Sequence, residues 1–193
     1  MKVFTRVYDT YSQAEQAVRA LEAAGVRSVD ISLVANKVVS DKYDNVKEAS
    51  GTATGAGVGA AVGGGVGLLT GLGLMAIPGL GPVVAAGWLA TTALGALAGS
   101  ATGGLIGALT EAGVPERDAH VYSEAVRRGG TLLTVRTALD EATINGALDR
   151  YAPLDATQRR TEYEGMGWTK YDPSAPEYRF EKTEVERLRR PYS

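Results

Sequence analysis

The sequence predicts an α+β fold, a small ferredoxin-like sandwich interrupted by a long glycine-rich helical hairpin and followed by an extended C-terminal tail. Three observations carry that expectation. Segments of period two and period 3.6 alternate at both ends of the chain in the order β-α-β and then α-β-α. From Gly51 to Thr110 there is no Asp, Glu, Lys, Arg or His. After about residue 154 the aliphatic content drops and charge of both signs takes over. The corresponding division is residues 1–50 for the first half of the α+β domain and its linker, 51–112 for the hairpin, 113–153 for the second half, and 154–193 for the polar tail.

Residues 2–8 alternate, with Val3, Thr5 and Val7 set against Lys2, Phe4, Arg6 and Tyr8, which reads as a strand. Asp9 to Ser12 offer caps for a helix over about 12–24. There Ala14, Ala17, Val18, Leu21 and Ala24 share one face, and Gly25 closes it. Val29 to Val34 reads as a second strand, and the β-α-β unit predicts a parallel pair with a right-handed crossover. Residues 36–50 are polar and read as a linker or short helix.

The uncharged block is then expected to fold as two apolar helices, about 53–77 and 83–110. The turn signal between them includes Pro78, Gly79, Gly81 and Pro82. Gly55, Gly59, Gly63, Gly67 and Gly71 recur every fourth residue, and so do Gly95, Gly99, Gly103 and Gly107. A step of four advances about 400°, so each row drifts slowly round one helical face and makes a groove for close backbone approach. Each glycine costs roughly 1 kcal/mol relative to alanine in a helix in water, which close packing or lipid must offset. Each arm is long enough to span about 30 Å of hydrocarbon, yet Gly and Ala add little transfer energy. Two settings follow: a hairpin in a bilayer, or a hairpin buried in a protein assembly.

Gly113-Val114-Pro115 breaks the second arm, and Pro115 stands where a new helix can begin. Ala119, Tyr122, Ala125 and Val126 give that helix an apolar face, and Gly129-Gly130 stops it. Thr131 to Thr137 reads as a third strand. Asp140 to Tyr151 reads as a third helix, ended by Pro153. Either half alone has too small a core, so one sandwich with helices on one face of a three-stranded sheet is expected. The exposed edge of such a sheet invites pairing with another copy. In the tail, Trp168, Tyr171 and Phe180 are aromatics that a spacer has no need of. They read either as parts of a solvated tail or as a docking arm that enters grooves on a neighbouring subunit. Glu181 to Arg190 reads as a short helix.

Composition bounds the chemistry. Net charge is −2, from 20 basic and 22 acidic residues, and gives no electrostatic footprint for nucleic acid. There is no cysteine and one histidine, His120, which removes thiolate chemistry and most metal constellations. The dinucleotide reading of the glycine block lacks the strand–loop–helix setting and the acidic residue that follows it. Glu162 and Glu164 lie in the tail, where no cavity is expected to raise a carboxyl pKa. Arg127-Arg128 and Arg159-Arg160 are isolated basic pairs. The expectation is a protein that is no enzyme, has no cofactor, metal or catalytic residue, and binds no evident small-molecule substrate. Its partners are copies of itself and, in the first setting, a lipid bilayer. The N-terminus has no apolar run or cleavage site of a signal peptide.

Residues 1–137 resemble the bacterial general-stress or low-temperature-induced proteins. The likeness is carried by the opening strand and helix, by Ile77-Pro78-Gly79-Leu80-Gly81-Pro82 and by Gly104-Leu105-Ile106-Gly107-Ala108-Leu109. It continues in Gly113-Val114-Pro115-Glu116 through Tyr122, and in Arg127-Arg128-Gly129-Gly130-Thr131-Leu132-Leu133-Thr134-Val135. The resemblance implies expression under stress and a membrane-associated or assembling role. It implies no activity. The location it implies is a bacterial inner membrane with the polar domain in the cytoplasm, the alternative being a cytoplasmic assembly.

Overall fold

The computed structural model describes residues 1–39, 73–77, 80–89 and 104–191. Among them are five strands and six α-helices. They are β1 (Lys2–Tyr8), α1 (Tyr11–Ala23), β2 (Ile31–Asn36), β3 (Gly73–Ile77), β4 (Gly81–Ala86), α2 (Leu105–Glu111), α3 (Glu116–Arg127), β5 (Thr131–Thr137), α4 (Glu141–Asp149), α5 (Ala156–Gly165) and α6 (Lys182–Arg189). Short 3-10 turns at 28–30 and 37–39 flank β2. The mixed helix-and-strand class read from periodicity holds.

The sheet runs β1-β5-β2-β4-β3, and every neighbouring pair is antiparallel. β1 and β2 therefore point the same way, as the β-α-β pattern requires, but they do not touch. β5 lies between them, with Val7 opposite Leu132 on one side and Leu33 opposite Leu133 on the other. The expected parallel pair is thus a split unit. The two ends of the chain interleave in one sheet, so separate subdomains are excluded for these elements. The outer edge of β1 is partly covered near its end, where the Leu154 amide donates to the Val7 carbonyl at 2.7 Å.

Helices cover both faces, which corrects the one-sided sandwich. On one face, Tyr8, Ile31, Leu33, Leu133 and Val135 pack with Ala14, Val18 and Leu21 of α1, Ile144 and Leu148 of α4, and Leu188 of α6. On the other, Val7, Val34, Val83, Ala85 and Leu132 pack with Leu105 and Leu109 of α2 and Ala119 and Val126 of α3. Every residue of β2 is buried, as expected for a strand with helices above and below it. Strand alternation therefore separates two apolar faces rather than an apolar from a polar one.

The second correction lies in the uncharged block. Residues 73–77 and 83–86, expected as parts of two long helices, lie in paired strands, 73–77 and 81–86, with Ile77 opposite Gly81 and Gly73 opposite Ala85. The chain does reverse between them, where Pro78–Pro82 was read as a turn, but it joins strands. β4 also pairs with β2, from Leu33 opposite Ala86 to Asn36 opposite Val83. Pro82 precedes that pairing, so its missing amide removes no bond to β2. Gly87 has φ +86° and lies against the Ile31–Ser32 backbone so closely that a Cβ would run into the Ile31 carbonyl. Two independent constraints thus select glycine there. Among the described residues the second arm is helical as expected at 88–89 and at its end, where α2 starts after Gly104 and stops before Gly113 (φ +92°).

The remaining boundaries follow local chemistry. Thr10 caps α1, its hydroxyl accepting from the Gln13 amide while the Gln13 side chain accepts from the Thr10 amide. Asp140 caps α4 and Asp155 caps α5 through the amides of Thr143 and Gln158. The polar C-terminal segment is folded back on the sandwich; α6 lies where Glu181 to Arg190 was read as a short helix, and α5 stands where extended tail was expected.

Candidate functional site

The densest convergence of charge and aromatic rings lies where the end of α3 meets the C-terminal segment. Glu124 sits one turn before Arg127 and Arg128, so helical spacing alone directs all three side chains to one region. The Glu124 side chain is only 3% exposed, and its Oε1 accepts from Arg127 Nη1 at 2.9 Å and from Arg128 Nε at 2.6 Å. Two charge-assisted bonds to one oxygen satisfy a carboxylate that burial would otherwise penalise.

The aromatic tail residues then enclose the guanidinium groups. Arg128 lies 4.5 Å from the Tyr163 ring centroid and 5.9 Å from that of Tyr178. Arg127 lies 5.8 Å from the Tyr178 ring, and its Nη2 donates to the Pro176 carbonyl at 3.1 Å. Flat cations over ring faces gain from the ring quadrupole. Burial pushes the Tyr163 hydroxyl up to about 12. Tyr178 is also held above its ordinary value, by burial and by Glu184, whose carboxylate accepts from its hydroxyl at 3.2 Å.

Beside these groups a cleft of about 180 Å³ opens between α3, α5 and α6, with Asp9, Arg159, Glu162, Glu184 and Arg187 on its rim. Arg159 is engaged by Asp9 at 2.7 Å and by Glu162 at 3.3 Å. The space is below the few hundred Å³ typical of small-molecule sites, and its carboxylates and guanidiniums are largely turned on one another. The arrangement holds two parts of the chain together.

The residues expected to carry function fall into three groups. Gly55, Gly59, Gly63, Gly67, Gly71, Gly95, Gly99 and Gly103, together with Pro78 and Gly79, lie outside the described residues. Gly107 is half-buried on α2, between residues that enter the core. Gly81 and Pro82 open β4. Trp168, Tyr171 and Phe180 pack against this chain. Tyr171 is 5% exposed in the core beside α3, Phe180 borders the core on the α1 side, and Trp168 meets the Tyr163 ring edge-on at 5.6 Å.

His120 lies on α3 with Nε2 3.9 Å from Glu116, too far for a hydrogen bond, and burial holds it below its ordinary value. Among the described residues no three His, Asp or Glu side chains converge as a metal site requires, and no helix is long and apolar enough to cross a membrane.

Sequence reading passed over Arg127-Arg128 as an isolated pair. The signal that identifies them is Glu124 at i−3 and i−4 on an amphipathic helix.

No family model matches the chain, and no curated protein and no solved structure shows a significant likeness to it.

Proposed function

We propose that this protein is a non-enzymatic, self-associating stress protein whose uncharged glycine-rich segments, 51–72 and 90–103, are the contact surfaces between copies. The α+β sandwich is their carrier, and the split β-α-β unit with its covering helices gives it a ferredoxin-like part. The stress association comes from the family resemblance, and the glycine rows supply the shallow helical grooves through which backbones approach closely.

The observation that carries the reading is the position of the attachment points. Gly73, where the first segment ends, pairs with Ala85, and the second segment begins just beyond, after Leu89. Two uncharged segments thus join neighbouring points of one hairpin, which favours their packing together. Val39 and Gly73 bound one excursion, and Leu89 and Gly104 bound the other. All four belong to one sandwich. Fourteen residues (90–103) reach out and back by about 25 Å at most, even fully extended, short of the roughly 30 Å of a hydrocarbon core. That favours protein contact over a membrane-crossing hairpin. A second reading, insertion of these segments into lipid, is favoured by the absence of any charge from Gly51 to Thr110.

Light scattering on the full chain in detergent-free buffer tests the proposal. A homogeneous multimer whose mass falls on Gly59→Leu or Gly63→Leu is the expected result. A monomer in that buffer overturns it. Recovery only with detergent, together with flotation on anionic vesicles, moves the assignment to lipid.

A further inference from the structure

The C-terminal helix α6 docks through a small set of contacts, and their target is specific. Its buried side chain is Leu188, 2% exposed, while Lys182, Thr183, Glu186, Arg187 and Arg190 face solvent. Leu188 occupies the room left by Gly129. A methyl group on Gly129 would stand 2.5 Å from Leu188 Cδ1, 3.1 Å from Phe180 Cε1 and 3.2 Å from Val39 Cγ1. At the next residue, Arg189 Nε donates to the Val38 carbonyl at 2.8 Å. The principal contacts of α6 are to the 37–39 turn and to α1. On its remaining side lies the cleft of about 180 Å³ shared with α3 and α5. A helix held by one buried aliphatic side chain, the adjacent Phe180 ring, the bond from Tyr178 to Glu184 and Arg189 at the Val38 carbonyl, with open space along one flank, belongs to the low-stability end of a fold. What it holds is the last described turn before residues 40–72.

We propose that α6 is a releasable clasp on the root of the 40–72 segment. Docked, it holds the Val38 carbonyl through Arg189 and keeps Val39 beside Gly129. Released, it frees that root and uncovers the apolar seat of Leu188, while β1, β5 and β2 stay folded. The clasp rests on geometry alone. Its consequence, control of self-association, rests on the function proposed above.

Native-state hydrogen exchange on the full chain, at low denaturant, decides whether the clasp exists. Amides of 184–189 and 37–39 are expected to exchange together, at least 100-fold faster than those of β5. Equal protection of α6 and β5 overturns the proposal, because the helix would then open only with the whole fold. Leu188→Asp is expected to abolish protection in α6 and leave that of β5 within about threefold. Loss of β5 protection to the same extent overturns it as well. Mass measurement on the same variant separates the two ideas. A monomeric wild type removes the proposed function and leaves the exchange result standing. A multimeric wild type whose mass distribution is unmoved by Leu188→Asp removes the control of assembly.

Discussion

Two regions of opposite composition are built into the same sandwich. Residues 73–89 carry no charge and are rich in Gly, Leu and Ala, whereas 155–191 are dominated by charged and polar side chains. The first region enters as backbone: β4 lies inside the sheet, and Val83, Ala85 and Leu89 are fully buried. The second enters as a strap over the outside, anchored by Tyr163, Tyr171 and Leu188, with arginines beneath its rings. Average hydropathy therefore does not separate ordered from solvated segments here. A strand inside a sheet gains bonds along its length, while a polar segment is ordered if a few large side chains find seats. The first mode is intolerant of local change, and the second is divisible.

That contrast is open to breaking. The largest effect is expected at Gly87→Val, which combines a positive φ with a clash against β2. Destabilisation by about 3 kcal/mol or more is expected in urea unfolding, with Leu89→Ala in the range of about 2–5 kcal/mol. A loss below 1 kcal/mol at both positions would put the uncharged strands at the periphery of the cooperative unit.

Beneath the strap, Glu124→Gln leaves two guanidinium groups without their common carboxylate. A cost of about 2–4 kcal/mol is expected, moderated because both arginines keep some solvent contact. The same variant should raise proteolysis after residue 160 before it lowers the main unfolding midpoint.

Alkaline pH sharpens the comparison further. The Tyr163 hydroxyl is held up at about 12 by burial, and burial raises Tyr171 as well. The neutral form is thus favoured in the fold. The stability it contributes is complete below the unfolded value near 10 and is lost as pH rises from about 10 to 12. Phenolate absorbance should report strap tyrosines ionising with loss of helix, and Tyr163→Phe should flatten that slope. At the acid end the sign reverses. Burial works against the Asp30 carboxylate, but hydrogen bonds from Arg136 and Arg27 outweigh it and hold the group below its ordinary range. Its contribution should persist above about pH 4 and fade as pH falls further, and Asp30→Asn should remove that dependence.

Smaller effects test the divisibility of the strap. Asp155→Ala removes the cap of α5 and should cost about 1 kcal/mol. Tyr178→Phe loses the bond to Glu184 but keeps the ring near both arginines, so about 0.5 kcal/mol is expected. If either unfolds the whole chain, strap and sandwich are one unit.

Much of the outer sandwich was legible because its signals are local. Thr131–Thr137 was delimited by Gly129-Gly130 before it and by Asp140, the cap of the next helix, after it. The Thr10 cap and the Gly25 stop bounded α1 to within a residue. The uncharged block was misread over 73–77 and 83–86 because short apolar runs suit a buried strand as well as a helix. Four-residue glycine spacing outside that stretch pulled the assignment toward the helix. The Glu124–Arg127–Arg128 cluster was missed because these residues resemble any solvated helical surface until Tyr163 and Tyr178 arrive from residues far along the chain.

The sequence by itself determined the mixed class, the order of elements in both polar parts and the chain reversal near Pro78–Pro82, since turns, caps and periodicity are set by neighbouring residues. Only the tertiary structure decided that β5 separates β1 from β2, that helices lie on both faces, and that the polar C-terminus is a strap seated on Gly129, Arg127 and Arg128. Those outcomes depend on which apolar face meets which, a choice made by burial between residues that stand from a few tens to more than a hundred positions apart, and no local pattern encodes it.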